Sequence, residues 1–214
     1  MERLRLTNKD EMEKAVEEAV RVLNAGGVVL YPTDTLYGLG ADATNEEAIS
    51  KVYAIKEREK EKPLSVMVAS LEEMERYASV SKLGEKIMRK VLPGPFTFVL
   101  PKKAALPETL TGGEDTLGLR VPNAAFCIAL AHTFRKAITA TSANTSGQAD
   151  GRNVDDILKQ LGDSARHIDL ILDAGELPKR DASTVLKVTE HGVKVLREGN
   201  RNHPALLSVL QPED

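Results

Sequence analysis

Apolar residues recur along this chain with two different periods, and the alternation between them predicts an α/β or α+β protein. From Asn8 to Asn24, Met12, Ala15, Val16, Ala19, Val20 and Leu23 follow the spacing of one helical face, and Gly26-Gly27 stops the helix. VVLYP (28–32) is a β-branched run closed by proline, which predicts a buried strand, and TDTLYGLGAD after it reads as a loop. Thr44 with Glu47 forms a capping box for a helix whose Ile49, Val52 and Ile55 face inward. PLSVMVA alternates Leu64, Val66 and Val68 as a strand does, and Ser70 with Glu73 caps a further short helix.

The second half repeats these signals. Ser81 to Leu92 reads as a helix, PGP as a sharp connection, FTFVL as a strand, TGGEDT as a loop and LGLRV as a strand carrying Arg120. Asn123 is expected to cap the helix AAFCIALAHTF, and AITA is a strand opening onto the polar loop TSANTSGQADG. NVDDILKQLG predicts a helix, HIDLIL a strand, STVLKV and VKVLRE a hairpin around Glu190-His191-Gly192, and HPALLSVL a closing helix. About eight strands with interleaved helices, some joined by hairpins, imply one domain around a mixed sheet.

Composition narrows the class. The 214 residues are 42% hydrophobic and 29% charged, enough apolar material for a sizeable core and too much for disorder. With 29 basic and 32 acidic residues the net charge is -3, so any site for a polyanion must be local. One cysteine, Cys127, excludes an internal disulfide and suits a reducing, cytoplasmic compartment, and Cys127 lies among Ala124, Ile128 and Ala131 as a packed thiol would. The four histidines are far apart and lack metal-ligand spacing, so His132 and His203 read as surface or capping residues. No run approaches the length of a membrane span.

Against that balance, KEREKEKP (56–63) stands out as four cations alternating with three anions before a proline. If extended, it would turn Lys56, Arg58, Lys60 and Lys62 to one side and the glutamates to the other, and Pro63 favours an extended residue before it. Three polar loops follow or precede strands: TDT, the charged run and TSANTSG. Hydroxyls, an amide, small residues and cations gathered at strand ends suit phosphate and carboxylate ligands. Neither a Walker A sequence nor G-x-G-x-x-G is present, so the residues lead to an anion-binding pocket. Asp34 sits in the right loop, but an aspartate in a turn more often bonds its own backbone than acts as a base.

At these residues the chain resembles the YrdC-like L-threonylcarbamoyladenylate synthases over nearly its entire length. The resemblance rests on YPTDTLYGLGADA, Lys56-x-Arg58 with Lys62-Pro63, LPGPFTFVL, Leu119-Arg120-Val121-Pro122, Ser142-Ala143-Asn144, Ala182-Ser183-Thr184-Val185 and Leu196-Arg197-Glu198-Gly199. It implies a single domain over residues 1–214, with its core at about 8–200 and without the C-terminal extension of longer members, built as a twisted mixed sheet over a deep positive cavity. It implies synthesis of threonylcarbamoyl-AMP and pyrophosphate from L-threonine, bicarbonate or carbon dioxide, and ATP with Mg2+. Partner proteins would then use that product to modify tRNA.

By the same resemblance Thr35, Arg120, Ala140, Ser142 and Ser183 form the threonine set, with Arg120 on the carboxylate. Lys56, Arg58, Lys62, Thr116, Ser142, Asn144 and Arg197 form the ATP set, and Lys56, Arg58, Ser142 and Asn144 the catalytic one. Lys60 is not fixed by the family pattern. Met67 stands where some relatives carry a polar histidine, so a contact to threonine is lost if it faces the pocket. Two rivals share parts of these features: the related YciO branch, and a non-catalytic module binding tRNA or double-stranded RNA. The second needs cations spread over several phosphates, whereas these are concentrated near one loop, so tRNA binding by this chain is expected to be weak.

Overall fold

The computed structural model describes residues 1–103 and 106–199. Strand β1 (Glu2–Arg5) leads into helix α1 (Lys9–Asn24), which Asn8 caps by accepting the Glu11 amide and which buries Ala15, Val16, Ala19, Val22 and Leu23. Then come β2 (Val29–Pro32), β3 (Tyr37–Gly40), α2 (Glu46–Lys56), β4 (Val66–Met67), α3 (Leu71–Tyr77) and α4 (Lys82–Val91). The chain continues through β5 (Phe96–Pro101), α5 (Glu108–Thr111), β6 (Thr116–Arg120), α6 (Ala125–Phe134), β7 (Ile138–Thr139) and β8 (Thr141–Ser142). It ends with α7 (Val154–Leu161), a 3-10 turn (Gly162–His167), β9 (Leu170–Asp173), and the hairpin β10 (Thr184–Thr189) and β11 (Gly192–Arg197).

The strands form two mixed sheets rather than one. One has the order β1-β9-β2-β3-β8, the other β11-β10-β5-β6-β4-β7. β1 and β2 run parallel to β9, while β2–β3 and β3–β8 are antiparallel. In the second sheet β10–β5 and β4–β6 are parallel and the remaining pairs antiparallel. β2 shows why its sequence is uniformly apolar. Val28 and Leu30 enter the larger core while Val29 and Tyr31 enter the smaller one under α1 and α6, so both of its faces are covered.

Several expectations need correction. TDTLYGLGAD is not all loop: Tyr37–Gly40 pairs with β2, and its glycines are there because β3 lies close to Tyr31, where a Cβ on Gly40 would meet the ring at 2.7 Å. Asn45, not Thr44, caps α2, accepting the Glu47 and Ala48 amides, while the Thr44 hydroxyl donates to Asp42. Asn123 does not cap α6; its amide donates to the Asp34 carboxylate instead. The described residues hold eleven strands where about eight were expected, because three of them span only two residues. The expected closing helix HPALLSVL and His203 lie outside the described residues.

The charged run is not an extended comb. Lys56 is the last residue of α2, and Glu57 takes a left-handed conformation (φ 48°). The amides of Glu57 and Arg58 then return to the carbonyls of Ala54 and Tyr53, the paired bonds of a Schellman ending. A second turn, Lys62 N–H to Glu59 O, follows before the chain extends into β4. Lys56 is therefore buried, while Lys60 and Lys62 stay exposed, Lys62 beside Glu59.

Candidate active site

The two sheets part at Ala140. β7 belongs to the six-stranded sheet and β8 to the five-stranded one, and the Ala140 amide between them bonds Ser65 O at 2.7 Å. Where the sheets diverge, strand ends cannot pair further, and a cavity of about 360 Å³ opens. Among the described residues Lys56, Arg58, Arg120 and Arg197 line it against one lining carboxylate, Asp150, so this lining is electropositive in a chain of net charge -3.

Of the expected residues, Thr35, Ala140, Ser142, Asn144 and Ser183 line the cavity together with those four cations. Lys62 and Thr116 do not. The Lys62 ammonium pairs with Glu59 at 3.2 Å on an exposed turn. Thr116 shares a face of β6 with Arg120 but stands four residues away, roughly 13 Å along the strand. Met67 is also outside the lining: it is fully buried in the smaller core, its sulfur 3.5 Å from the Tyr31 hydroxyl, and it is Tyr31 that reaches the cavity.

The Schellman ending of α2 drives Lys56 inward to 2% exposure. Its Nζ donates to the carbonyls of Ser142 (2.5 Å) and Asn144 (2.9 Å) and to Asn144 Oδ1 (2.8 Å). Three N–H groups thus meet three acceptors, which ties the turn after β8 to the end of α2. The Lys56 carbonyl completes the tie by accepting the Ser146 amide at 2.8 Å. The Asn144 side chain is held from both ends, its oxygen accepting from the Ser142 hydroxyl and its nitrogen donating to Gln148 O. Burial, helped by nearby Arg58, pulls the Lys56 pKa down to about 8, with Asp150 opposing.

Arg58 is half-buried at the rim, its Nε and Nη2 on the carbonyls of Lys62 and Pro63. Arg197, at the end of β11, bonds the carbonyl and hydroxyl of Ser183, and burial lowers its pKa. Gly199 packs so closely on Ala182–Thr184 that a Cβ there would collide with their backbone, which keeps the Ser183 segment against β5. The Ser183 hydroxyl lies 2.8 Å from that of Thr97. Arg120, at the end of β6, pairs with Asp34 at 2.5 Å, and Thr35 Oγ1 is 3.4 Å from its Nη1.

Thr97 and Asp150 line the cavity without having been singled out. Thr97 was legible in principle, since it alternates with the core residues Phe96 and Phe98 and so must face the other way. Asp150 gives no sequence signal. Cys127 is a core thiol, fully buried, bonded to Pro32 O and raised by burial to about 12. Among the described residues no cluster of His, Cys, Asp or Glu could hold a metal, and no helix is long and apolar enough to cross a membrane.

The family model for Sua5_yciO_yrdC, described as Telomere recombination, matches residues 21–199. The chain belongs to the Sua5/YciO/YrdC family. A Klebsiella pneumoniae relative named threonylcarbamoyl-AMP synthase is 35% identical over 182 residues, covering 83% of this chain and 96% of its own. The crystal structure of P. abyssi Sua5 complexed with L-threonine superposes with a TM-score of 0.83 at 32% identity over 92% of this chain. The chain spans 57% of the length of that protein. E. coli YciO superposes equally well, with a TM-score of 0.83 at 25% identity over 95% of this chain and 97% of its own.

Proposed function

We propose that this protein makes threonylcarbamoyl-AMP and pyrophosphate from L-threonine, bicarbonate or carbon dioxide, and ATP. The observation that carries the reading is one cavity holding two differently built cationic ends. Arg120 with Thr35 offers a guanidinium and a hydroxyl suited to an amino-acid carboxylate. Lys56, Arg58 and Arg197 surround the Ser142–Asn144 turn, which suits a triphosphate.

The neutral amine of threonine attacks carbon dioxide, forming the N–C bond of a carbamate and releasing a proton to solvent. A carbamate oxygen then attacks the α-phosphorus, and the bond to pyrophosphate breaks. Both partners of the second step are anions, so the protein's contribution is to position them and to neutralise their charge. Arg120 and Thr35 fix the amino acid, while Arg58 and Arg197 take charge from the phosphates. Lys56 acts at the same place by holding Ser142 and Asn144 in their geometry. Among the described residues Asp150 is the single carboxylate in the lining, so their donor set does not build a magnesium site of its own. Magnesium then enters as part of the nucleotide substrate.

Partner proteins in the cytoplasm would pass the threonylcarbamoyl group to tRNA adenosine. Similarity to E. coli YciO favours a second reading, a paralogue that shares the cavity without this activity. Mass spectrometry of the purified protein with threonine, bicarbonate and ATP-magnesium separates the two: threonylcarbamoyl-AMP forms on the first reading and is missing on the second.

A further inference from the structure

We infer that Asp34 is a positioning residue for amino-acid binding, holding Arg120 in place while threonine's carboxylate takes the donors that Asp34 leaves open. This rests on the threonine reading of the cavity and concerns a residue that does not line it. Asp34 Oδ1 accepts from Arg120 Nη2 at 2.5 Å, and Oδ2 accepts the Asn123 amide at 3.0 Å. Both oxygens are therefore committed, one to the guanidinium and one to backbone just beyond β6. The turn that carries Asp34 is fixed as well. The Thr33 hydroxyl accepts the amides of Thr35 and Leu36 and donates to Leu36 O, and Arg180 donates to the Asp34 carbonyl at 2.7 Å.

Arg120, by contrast, is under-used. Its contacts to Thr35 Oγ1 are long, 3.4 and 3.5 Å, and its buried Nε has no partner. A buried donor without an acceptor is costly, and an arriving carboxylate would relieve it. The side chains of Arg120 and Asp34 are 9% and 7% exposed, so neither can easily turn to water. A guanidinium this buried stays put only beside a counter-charge. Because Asn123 holds Oδ2, Asp34 remains when the substrate binds, and it acts as a brace for Arg120 rather than as a competitor for it.

Asp34→Asn tests this directly, since a carboxamide has one acceptor oxygen and cannot serve both Arg120 and Asn123. Pyrophosphate release is measured with threonine varied at saturating ATP, and then with ATP varied at saturating threonine. The threonine KM should rise ~10- to 100-fold, as a small misplacement of a binding group does, while the ATP KM stays within about twofold. An unchanged or lower threonine KM overturns the inference. If the variant does not fold, the wild type still decides. On saturation with threonine the Arg120 Nε–H resonance should move and the Asn123 amide resonance should stay. A displaced Asn123 amide would mean that threonine evicts Asp34, against the inference. Wild-type protein without threonine-dependent pyrophosphate release would fail the synthase reading itself, a different result from either.

Discussion

Lys56 Nζ donates to both oxygens of Asn144, the carbonyl at 2.9 Å and Oδ1 at 2.8 Å, across 88 positions of sequence. With the Ser142 carbonyl as third acceptor, the ammonium is saturated inside the protein before any nucleotide arrives. Its main role is then to hold the Ser142–Asn144 turn, and its charge reaches the phosphates through that turn.

Lys56→Met should therefore destabilise the fold as well as slow turnover. It takes the ammonium from three acceptors: Asn144 Oδ1 keeps the Ser142 hydroxyl and the Ser142 carbonyl keeps the Asn144 amide, but the Asn144 carbonyl loses this donor, and urea unfolding should show a loss of about 1–3 kcal/mol. Asn144→Ala should lose part of the same energy, so the double variant should be non-additive by about 1 kcal/mol or more. Strict additivity would mean that the two residues act separately.

Lys56 also sets a pH dependence. Its pKa is about 8 in the folded protein against 10.5 when free, so between those values the unfolded chain binds more protons and stability rises with pH. Turnover should move the other way. A neutral amine has only two N–H groups for three acceptors, so the turn loosens as pH rises through about 8. Opposite slopes of stability and activity in this window are the expected result, measured by urea unfolding and by pyrophosphate release. Activity that climbs steadily to pH 10 would contradict it.

The cations of the charged run should separate sharply on substitution. Arg58→Ala should lower kcat/KM by ~100-fold, the scale for removing one charge-stabilising donor. Arg58→Lys should not restore it, because an ammonium lacks the planar fork that spans two oxygens. Lys62→Ala and Lys60→Ala should stay within ~threefold, as exposed substitutions away from special features do. A large effect at Lys62 would mean that its turn rearranges to bring it onto the nucleotide.

The physical reason for this separation also marks what the sequence could disclose. The helical spacing of α1, the two-faced run of β2 and the β10–β11 hairpin are local patterns, and each appears in the structure where the pattern puts it. KEREKEKP failed as an extended comb because its direction is set by Glu57 in a left-handed turn, a conformation usually signalled by glycine or asparagine. Asn45 displaced Thr44 as a cap because two capping residues stand side by side and only the helix start decides between them. β3 was hidden by Gly38 and Gly40, which resemble loop residues and serve instead to admit Tyr31. The site motifs were readable as motifs. That Lys56 meets Asn144, or Asp34 meets Arg120, depends on how the two sheets part, and no local pattern carries that information.

The most direct test of the account is pyrophosphate release by the purified protein with threonine and bicarbonate omitted in turn from an ATP-magnesium reaction. Release is expected only when both are present, with threonylcarbamoyl-AMP formed in equal amount. Release at the same rate without threonine would contradict it, and would make the cavity that of a plain ATP pyrophosphatase.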